Sequence, residues 1–392
     1  MYMGRLGWPM YDDFSMKKNL SLMYAISFLQ GMVFYYSIAT LYRQAAGMNM
    51  LQIAGIESVS LALSLILELP WGVLADRIGY RRTMLICCGL WFVSKIVFWR
   101  AAGFYAFLLE RVLLAVVISG ISGVDSSVLF LSCEDGESQK AFGLYQSFGT
   151  AGLLAAAAVY TLFIGENYRL AALLTVFSYG LAFLLSFGLT EVRPKEQTER
   201  PSLARTLAVL KETLMNRRLL LLVCALALVG QVHQTITVFL NQLQYTRAGL
   251  PVRWIAAVSI LTTVAGLAGA ASEKLTKKWR PRRFGGWMFA LCALACLLLA
   301  WTSDAILSVI GVQMIALCFA LLSPLGAELE NRAVTTTDRA TALSMNTLLA
   351  DGLAVFSNLA FGSLADTSLS AAMLFGCGLC VAGMVLFLRA VK

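Results

Sequence analysis

The chain has 392 residues, 59% of them hydrophobic and only 14% charged, with a formal net charge of +9 and a mean hydropathy of +0.75. An ordinary soluble domain is roughly half apolar and about a quarter charged, so this composition excludes one. The positive charge lies in the segments between long apolar runs, where it reads as a topology signal and argues against nucleic acid as a partner.

A run of about 20 apolar residues crosses the ~30 Å hydrocarbon core as a helix. Alternating segments of about ten residues, the mark of a membrane barrel, are not seen. Twelve spans are predicted, at 19–42, 51–74, 83–102, 104–124, 142–164, 169–189, 219–243, 252–272, 284–302, 304–325, 340–362 and 369–389. Helices are required because the bilayer offers no water to backbone polar groups.

The first span carries Gln30, Phe34, Tyr35 and Tyr36, a polar-aromatic patch suited to an amphipathic ligand or to plain packing. The second holds Glu57, with Ser60 and Ser64 on its side and Glu68 near the surface. An ionisable group at mid-bilayer costs roughly 2.5–3.5 kcal/mol on insertion scales, which makes it a functional candidate. Glu57 can serve proton coupling or cation recognition, or sit in a buried ion pair with Lys95 or Arg111. After this span comes the basic segment GVLADRIGYRR, Gly72 to Arg82.

Lys95 lies in the third span, and Glu110 and Arg111 in the fourth, with Ser119 and Ser122 following on the same side and Asp125 at its end. Arg111 is a candidate for binding an anionic substrate or for holding Glu57 until a proton releases it. The fifth span carries Tyr145 and Gln146, which can extend the aromatic patch, and Gly143, Gly149 and Gly152 without a proline. Glu191 to Arg218, with Pro194 and Pro201 and many charges, reads as a linker containing a short amphipathic helix at Leu203 to Met215. It divides the chain into a six-helix half at 1–190, a linker at 191–218 and a second six-helix half at 219–392.

The seventh span is unusually polar, with Gln231, His233, Gln234, Thr237, Asn241 and Gln244. His233, Thr237 and Asn241 follow the helical spacing i, i+4, i+8. His233 is the only histidine, so it cannot build a metal site, and no metal is expected. In the eleventh span Ser344, Thr347, Asp351 and Asn358 form a polar stripe that should face protein or water. Asp351 is a proton or substrate candidate, or a hydrogen-bond node between helices. The nine cysteines lie mostly inside apolar runs and read as small hydrophobes. Cys377 and Cys380, a CxxC within a span, lack further ligands nearby.

Placing the N-terminus inside puts 24 Lys and Arg in inner segments and 5, including Arg43, in outer ones. Both termini are therefore expected on the cytoplasmic side. The two halves also echo each other. GVLADRIGYRR follows the second span, and GAASEKLTKKW, Gly269 to Trp279, follows the eighth. Asp76 then aligns with Glu273 and Arg77 with Lys274, while no glycine matches Gly79. The second copy is expected to carry mainly charge. Paired repeats of this kind suit secondary transporters.

With Gly72, Leu74, Ala75, Asp76, Arg77, Gly79, Arg81 and Arg82 in view, the chain resembles the major facilitator superfamily along essentially its whole length. RATALSMN, Arg339 to Asn346, looks like the start of span 11 in a bacterial branch. The resemblance implies twelve helices in two pseudo-symmetric halves that alternate access to a central site. It implies that Asp76 latches the cytoplasmic side against the start of span 11, near Thr337 to Arg339, and that span 7 lines the cavity. Proton-coupled efflux of an amphipathic or hydrophobic compound is the expected activity. Uptake of a sugar, amino acid or similar metabolite is the alternative, because the fifth span lacks the proline of the antiporter motif. A non-transporting sensor on the same fold is a third reading. No cofactor beyond a proton or sodium gradient is expected, and no enzyme activity. The expected partners are a small-molecule substrate and the lipid bilayer. The expected form is a monomer in a bacterial inner membrane.

Overall fold

Each of the twelve apolar runs is helical. The computed structural model describes residues 13–133, 137–192, 215–334 and 339–391, with the side chains of all but 13–15, 69, 73, 76, 270 and 339–344. Among these residues twelve helices are long and apolar enough to cross a membrane. Span 1 is Met16–Ala45, span 2 Met50–Glu68, span 3 Tyr80–Arg100, span 4 Phe104–Leu131, span 5 Ser138–Ile164 and span 6 Tyr168–Ser186. Span 7 is Arg217–Arg247, span 8 Val252–Gly269, span 9 Pro281–Trp301, span 10 Ala305–Ala333, span 11 Met345–Thr367 and span 12 Leu369–Ala390. The helix of span 2 runs on to Ile78, and that of span 11 begins at Arg339. The expected linker helix, through residue 214, and the expected latch partners Thr337 and Asp338 lie outside the described residues.

The internal repeat is visible in which helices touch. In the first half span 1 packs on spans 5 and 6, and span 3 on spans 4 and 6. In the second half span 7 packs on spans 11 and 12, and span 9 on spans 10 and 12. These are the same four pairings advanced by six spans. The fold is therefore all-helical and built of two pseudo-symmetric six-helix halves.

Packing divides the chain into two units. Described residues of 1–36 and 63–199 form one, and those of 37–62 and 200–392 form the other. The linker marks the division in the sequence, yet residues 37–62, from the first half, gather with the second unit. Side-chain hydrogen bonds hold them there, as set out below.

Span 1 is broken. Its helix Asp13–Gly31 stops, a 3-10 turn follows at Tyr36–Ile38, and helix resumes at Ala39–Ala45. A break in a membrane helix frees backbone groups that must find partners. Span 6 supplies them from one face. Thr175 Oγ1 accepts from Phe34 N at 3.0 Å, Tyr179 Oη donates to Gln30 O at 2.7 Å, and Ser178 Oγ donates to Leu29 O. The residues 175, 178 and 179 follow the i, i+3, i+4 rule of a helix face.

Spans 1 and 5 cross with their backbones in contact. A Cβ at Gly152 would lie 2.0 Å from the Phe28 carbonyl oxygen, and one at Gly31 would lie 2.1 Å from that of Gly149. Small residues permit this approach, which is a main source of helix association in a bilayer. The fifth-span glycines thus have a packing role that needs no proline. Gly143, by contrast, has nothing within 4 Å of such a Cβ.

The contrast gives a prediction of opposite signs. Gly152→Ala forces the two backbones apart and should destabilise by about 1–3 kcal/mol. Gly143→Ala should be neutral or stabilising by about 0.5–1 kcal/mol, since alanine is the better helix former. Thermal unfolding of the two purified variants checks both. Equal melting temperatures would remove the close-crossing account.

Candidate functional site

Residues 37–62 bring the first buried charge pair into the second unit. Arg43 Nη1 bonds Glu57 Oε1 at 2.9 Å, with the arginine side chain fully buried and that of Glu57 15% exposed. A buried ion pair is one of the two sequence readings of Glu57, and Arg43, not named in that reading, is a partner in it. It is also not an outer-loop residue, because the resumed helix Ala39–Ala45 carries it into the protein. A buried guanidinium is tolerable when a carboxylate meets its planar donors.

Lys95 and Arg111 are engaged in the first unit. Lys95 Nζ donates to Tyr35 Oη at 3.1 Å and lies 4.9 Å from the centre of the Tyr179 ring. Arg111 Nε lies 3.3 Å from Oε2 of its neighbour Glu110, whose side chain is fully buried.

Glu57 also lines a cavity of about 800 Å³ in the second unit. Leu61 of the same helix also lines it, and spans 7, 10 and 11 provide the rest of its wall. Asp351 and Glu330 are its other acids, Gln231, Gln234, Asn346 and Asn358 its carboxamides, and Ser323 and Thr347 its hydroxyls. Phe239 and Phe319 add aromatic surface. Among the described lining residues there is no lysine, arginine or histidine. Thr347, Asp351 and Asn358 come from the span 11 stripe, joined by Ala350 and Ala354 on the same face. Gln231 Nε2 donates to Asn358 Oδ1 and to Thr235 Oγ1, the latter at 3.0 Å. That bond fixes spans 7 and 11 against each other at the cavity.

The other span 7 candidates face protein. His233 stacks on Phe319 with ring centres 4.2 Å apart, one layer behind the wall. Thr237 is buried and donates to the His233 carbonyl at 2.8 Å, while Asn241 is buried and accepts from Gln242 N at 2.8 Å. The i, i+4, i+8 stripe assumed an unbroken α-helix. Thr235–Leu240 is instead π-helical. Its wider turn rotates the face presented beyond it.

The first-span candidates are held in the first unit. Gln30 Nε2 lies 3.5 Å from Cys88 Sγ, Phe34 is buried, and Tyr35 is buried and stacks on Phe98 at 3.9 Å. The Tyr145 carbonyl accepts from Ser27 Oγ at 2.8 Å, and Gln146 is exposed. Sequence reasoning missed Arg43, Glu330, Asn346 and Ser323. Asn346 was visible as one residue off the span 11 stripe. Arg43 carried no signal, because an arginine at the end of an apolar run looks like any loop arginine.

The basic loop is anchored to its own half. Gly79 has φ +93°, a conformation that favours glycine. A Cβ there would lie 2.5 Å from Glu191 Oε2. Arg81 N donates to Glu191 Oε1 at 3.3 Å, and the Arg81 guanidinium donates to the carbonyls of Leu189 and Phe187 at 2.6 and 3.3 Å. A cation just beyond the C-terminal end of span 6 is favoured by the helix dipole. Arg77 and Arg82 are exposed, and Gly72 is half-buried. Asp76 lies on the span 2 helix, but its side chain is outside the described residues. In the echo, Glu273 bonds Lys277 Nζ at 2.6 Å in open solvent. The shared hydrogen bond lowers the Glu273 pKa and raises that of Lys277.

The family model of the Major Facilitator Superfamily matches residues 20–357. The chain belongs to this superfamily. It is therefore a secondary transporter of the membrane and not an enzyme. No curated protein matches it significantly. Among solved structures, the nucleoside transporter NupG superposes with a TM-score of 0.82 at 15% identity, covering 95% of this chain and 99% of its own. A bacterial homolog of the human lysosomal transporter Spinster, inward-facing and unoccupied, gives 0.67 at 18% identity over 98% and 96%. The POT family transporter PepTSo gives 0.70 at 13% identity, with 98% of each chain covered. At these identities the likeness is one of fold alone.

The ion pair at the cavity edge generates a prediction for this major facilitator protein. Glu57→Leu strands the buried Arg43 charge and should destabilise by about 3–5 kcal/mol. The double variant with Arg43→Met removes both charges and should recover most of that loss. Thermal melts of the single and double variants decide it, and additive losses would show the two residues to be independent.

Proposed function

We propose that this transporter moves a small polar solute, neutral or cationic, by proton-coupled symport. The observation that carries the reading is the cavity wall, with three carboxylates, four carboxamides and no basic side chain among the described lining residues. An anionic cargo would meet only like charge there. A neutral or cationic cargo with several donors finds acceptors on spans 7, 10 and 11. Its volume lies within the usual range for small-ligand sites. A polar solute crosses hydrocarbon poorly because its hydrogen bonds to water are lost, so uptake of such a solute needs a carrier. The solved fold relative NupG is a nucleoside transporter, and nucleosides have this chemistry.

Glu57 and Asp351 are the proposed proton acceptors. Protonating Glu57 would cancel its charge and loosen its bond to Arg43, which links cargo binding to the end of span 1. We assign the exposed basic loops to the cytoplasmic face from the Lys and Arg count. Asp76 is proposed to latch that face, as the loop motif implies.

A second reading has its own observation. In the first unit an apolar hollow of about 570 Å³ is lined by Tyr24, Phe28, Leu29 and Phe148. It favours an amphipathic or hydrophobic compound exported against proton entry.

Proteoliposomes with an imposed proton gradient separate the readings. Symport predicts that a nucleoside or similar polar solute accumulates when the lumen is the more alkaline side. It also predicts that Glu57→Gln and Asp351→Asn reduce accumulation to background while solute exchange at equal pH persists. Full accumulation by the double variant would sink the proton assignment. Proton release on adding a hydrophobic cation, with no polar solute moved, would favour the export reading. Separately, Asp76→Asn should impair transport with membrane insertion intact. Unchanged transport by that variant would remove the latch.

A further inference from the structure

The start of the span 2 helix is capped from two sides. Four backbone N–H groups at a helix start have no partner within the helix. Here the helix begins at Met50. Asn49 and Gln52 form a reciprocal capping box, with Gln52 N donating to Asn49 Oδ1 at 2.8 Å and Asn49 N to Gln52 Oε1 at 3.1 Å. Two donors are left, those of Met50 and Leu51. Both go to one carboxylate from the other half of the chain, Asp366 at the end of span 11, at 2.6 and 2.9 Å. The approach is close enough to need a glycine on span 11. A Cβ at Gly362 would lie 2.6 Å from Ala54 Cβ and 2.9 Å from Met50 O.

A second bond of the same kind lies beside it. Gln242 on span 7 is buried, and its Oε1 accepts from Thr40 N at 2.9 Å and Leu41 N at 3.2 Å. Its own Nε2 is held by the Val238 carbonyl at 2.8 Å. Further along, Ser58 Oγ donates to Val355 O at 3.2 Å. The bonds of Asp366, of Gln242 Oε1 and of Ser58 each join residues 37–62 of the first half to spans 7 or 11 of the second. With twelve spans, the loops at 46–49 and at 368 lie on the side away from the chain termini.

We infer that Asp366 and Gln242 form a latch that closes the transport path on the side away from the termini, by capping in trans backbone donors that belong to the first half. The chemistry suits a reversible gate. A cap contributes enough to hold a state, about 0.5–2 kcal/mol, and water replaces it when the seam opens. Asp366 is exposed, so opening does not strand its charge. The latch is independent of which cargo is carried and of which carboxylate takes the proton.

Hydrogen exchange of the full chain in nanodiscs, without solute, tests it. Asp366→Ala should speed exchange about tenfold at Met50 and Leu51, and also at Thr40 and Leu41, which Asp366 does not touch. Asp366→Asn keeps a carbonyl acceptor and should show a smaller rise at all four. Asp304→Ala is the control, because Asp304 caps its own helix at Leu307 N, 2.9 Å away. It should affect only the start of span 10. A rise confined to Met50 and Leu51 would reduce Asp366 to a local cap and overturn the latch. So would no rise, or an equal rise over all twelve spans.

Discussion

A backbone polar group inside a bilayer has no water to turn to, and the rest of this structure follows from that constraint. It makes each apolar run a helix. It also dictates what surrounds the interruption of span 1. The break in span 1 is filled by three polar side chains of span 6, Thr175, Ser178 and Tyr179. The resumed helix takes Gln242, which is itself buried. A charge is subject to the same demand in stronger form. Arg43 is fully buried and meets Glu57. Lys95 is buried and meets the Tyr35 hydroxyl and the Tyr179 ring.

The same constraint makes some features readable in the sequence and leaves others hidden. Span number and placement were legible because a bilayer sets a minimum apolar length, and no run of that length is ambiguous here. Ends were less so. The run at 304–325 ends where apolar residues end, while its helix continues to Ala333. A polar last turn remains helical once it reaches water. The span 11 stripe was legible since an unbroken α-helix keeps its period from Thr347 to Asn358. The span 7 stripe was not, because the π-helical stretch at 235–240 carries no proline or glycine to announce it. The trans contacts of residues 37–62 were concealed for a different reason. Asp366 to Met50 joins positions 316 residues apart, and no local pattern encodes such a pair. The capping box at Asn49 and Gln52 was present in the sequence as an Asn-x-x-Gln pattern, and it marks where span 2 begins.

The charges also sort by place. Basic residues dominate the exposed loops, where water solvates them, and Arg81 ties one such loop to the segment that follows span 6. Inside the second unit the balance reverses. Arg43 is buried at the side of Glu57, and the cavity wall beyond it is acidic and amide-rich. Amides and hydroxyls give directional recognition at lower cost in dehydration than an ion pair. An acid near them can change charge without rearranging the wall.

The position of Glu57 joins these features mechanically. It is seven residues past Met50 on one continuous helix, which at 1.5 Å per residue is about 10 Å. The N-terminal end of that helix is held by Asp366 and its flank by the Arg43 bond. A helix of two turns does not bend over so short a distance without a break in its hydrogen bonds. Any shift of Glu57 relative to spans 7 and 11 therefore moves Met50 and Leu51 against Asp366. Conversely, release at Asp366 frees the helix that carries one wall of the cavity. The proposed cargo site, proton acceptor and gate would thus act on one short helical stretch, and coupling between them would need no chain of intermediates. Gly362 lets the first turns of this helix, whose sequence belongs to the first half, pack within the second unit beside the bonds from Asp366 and Gln242.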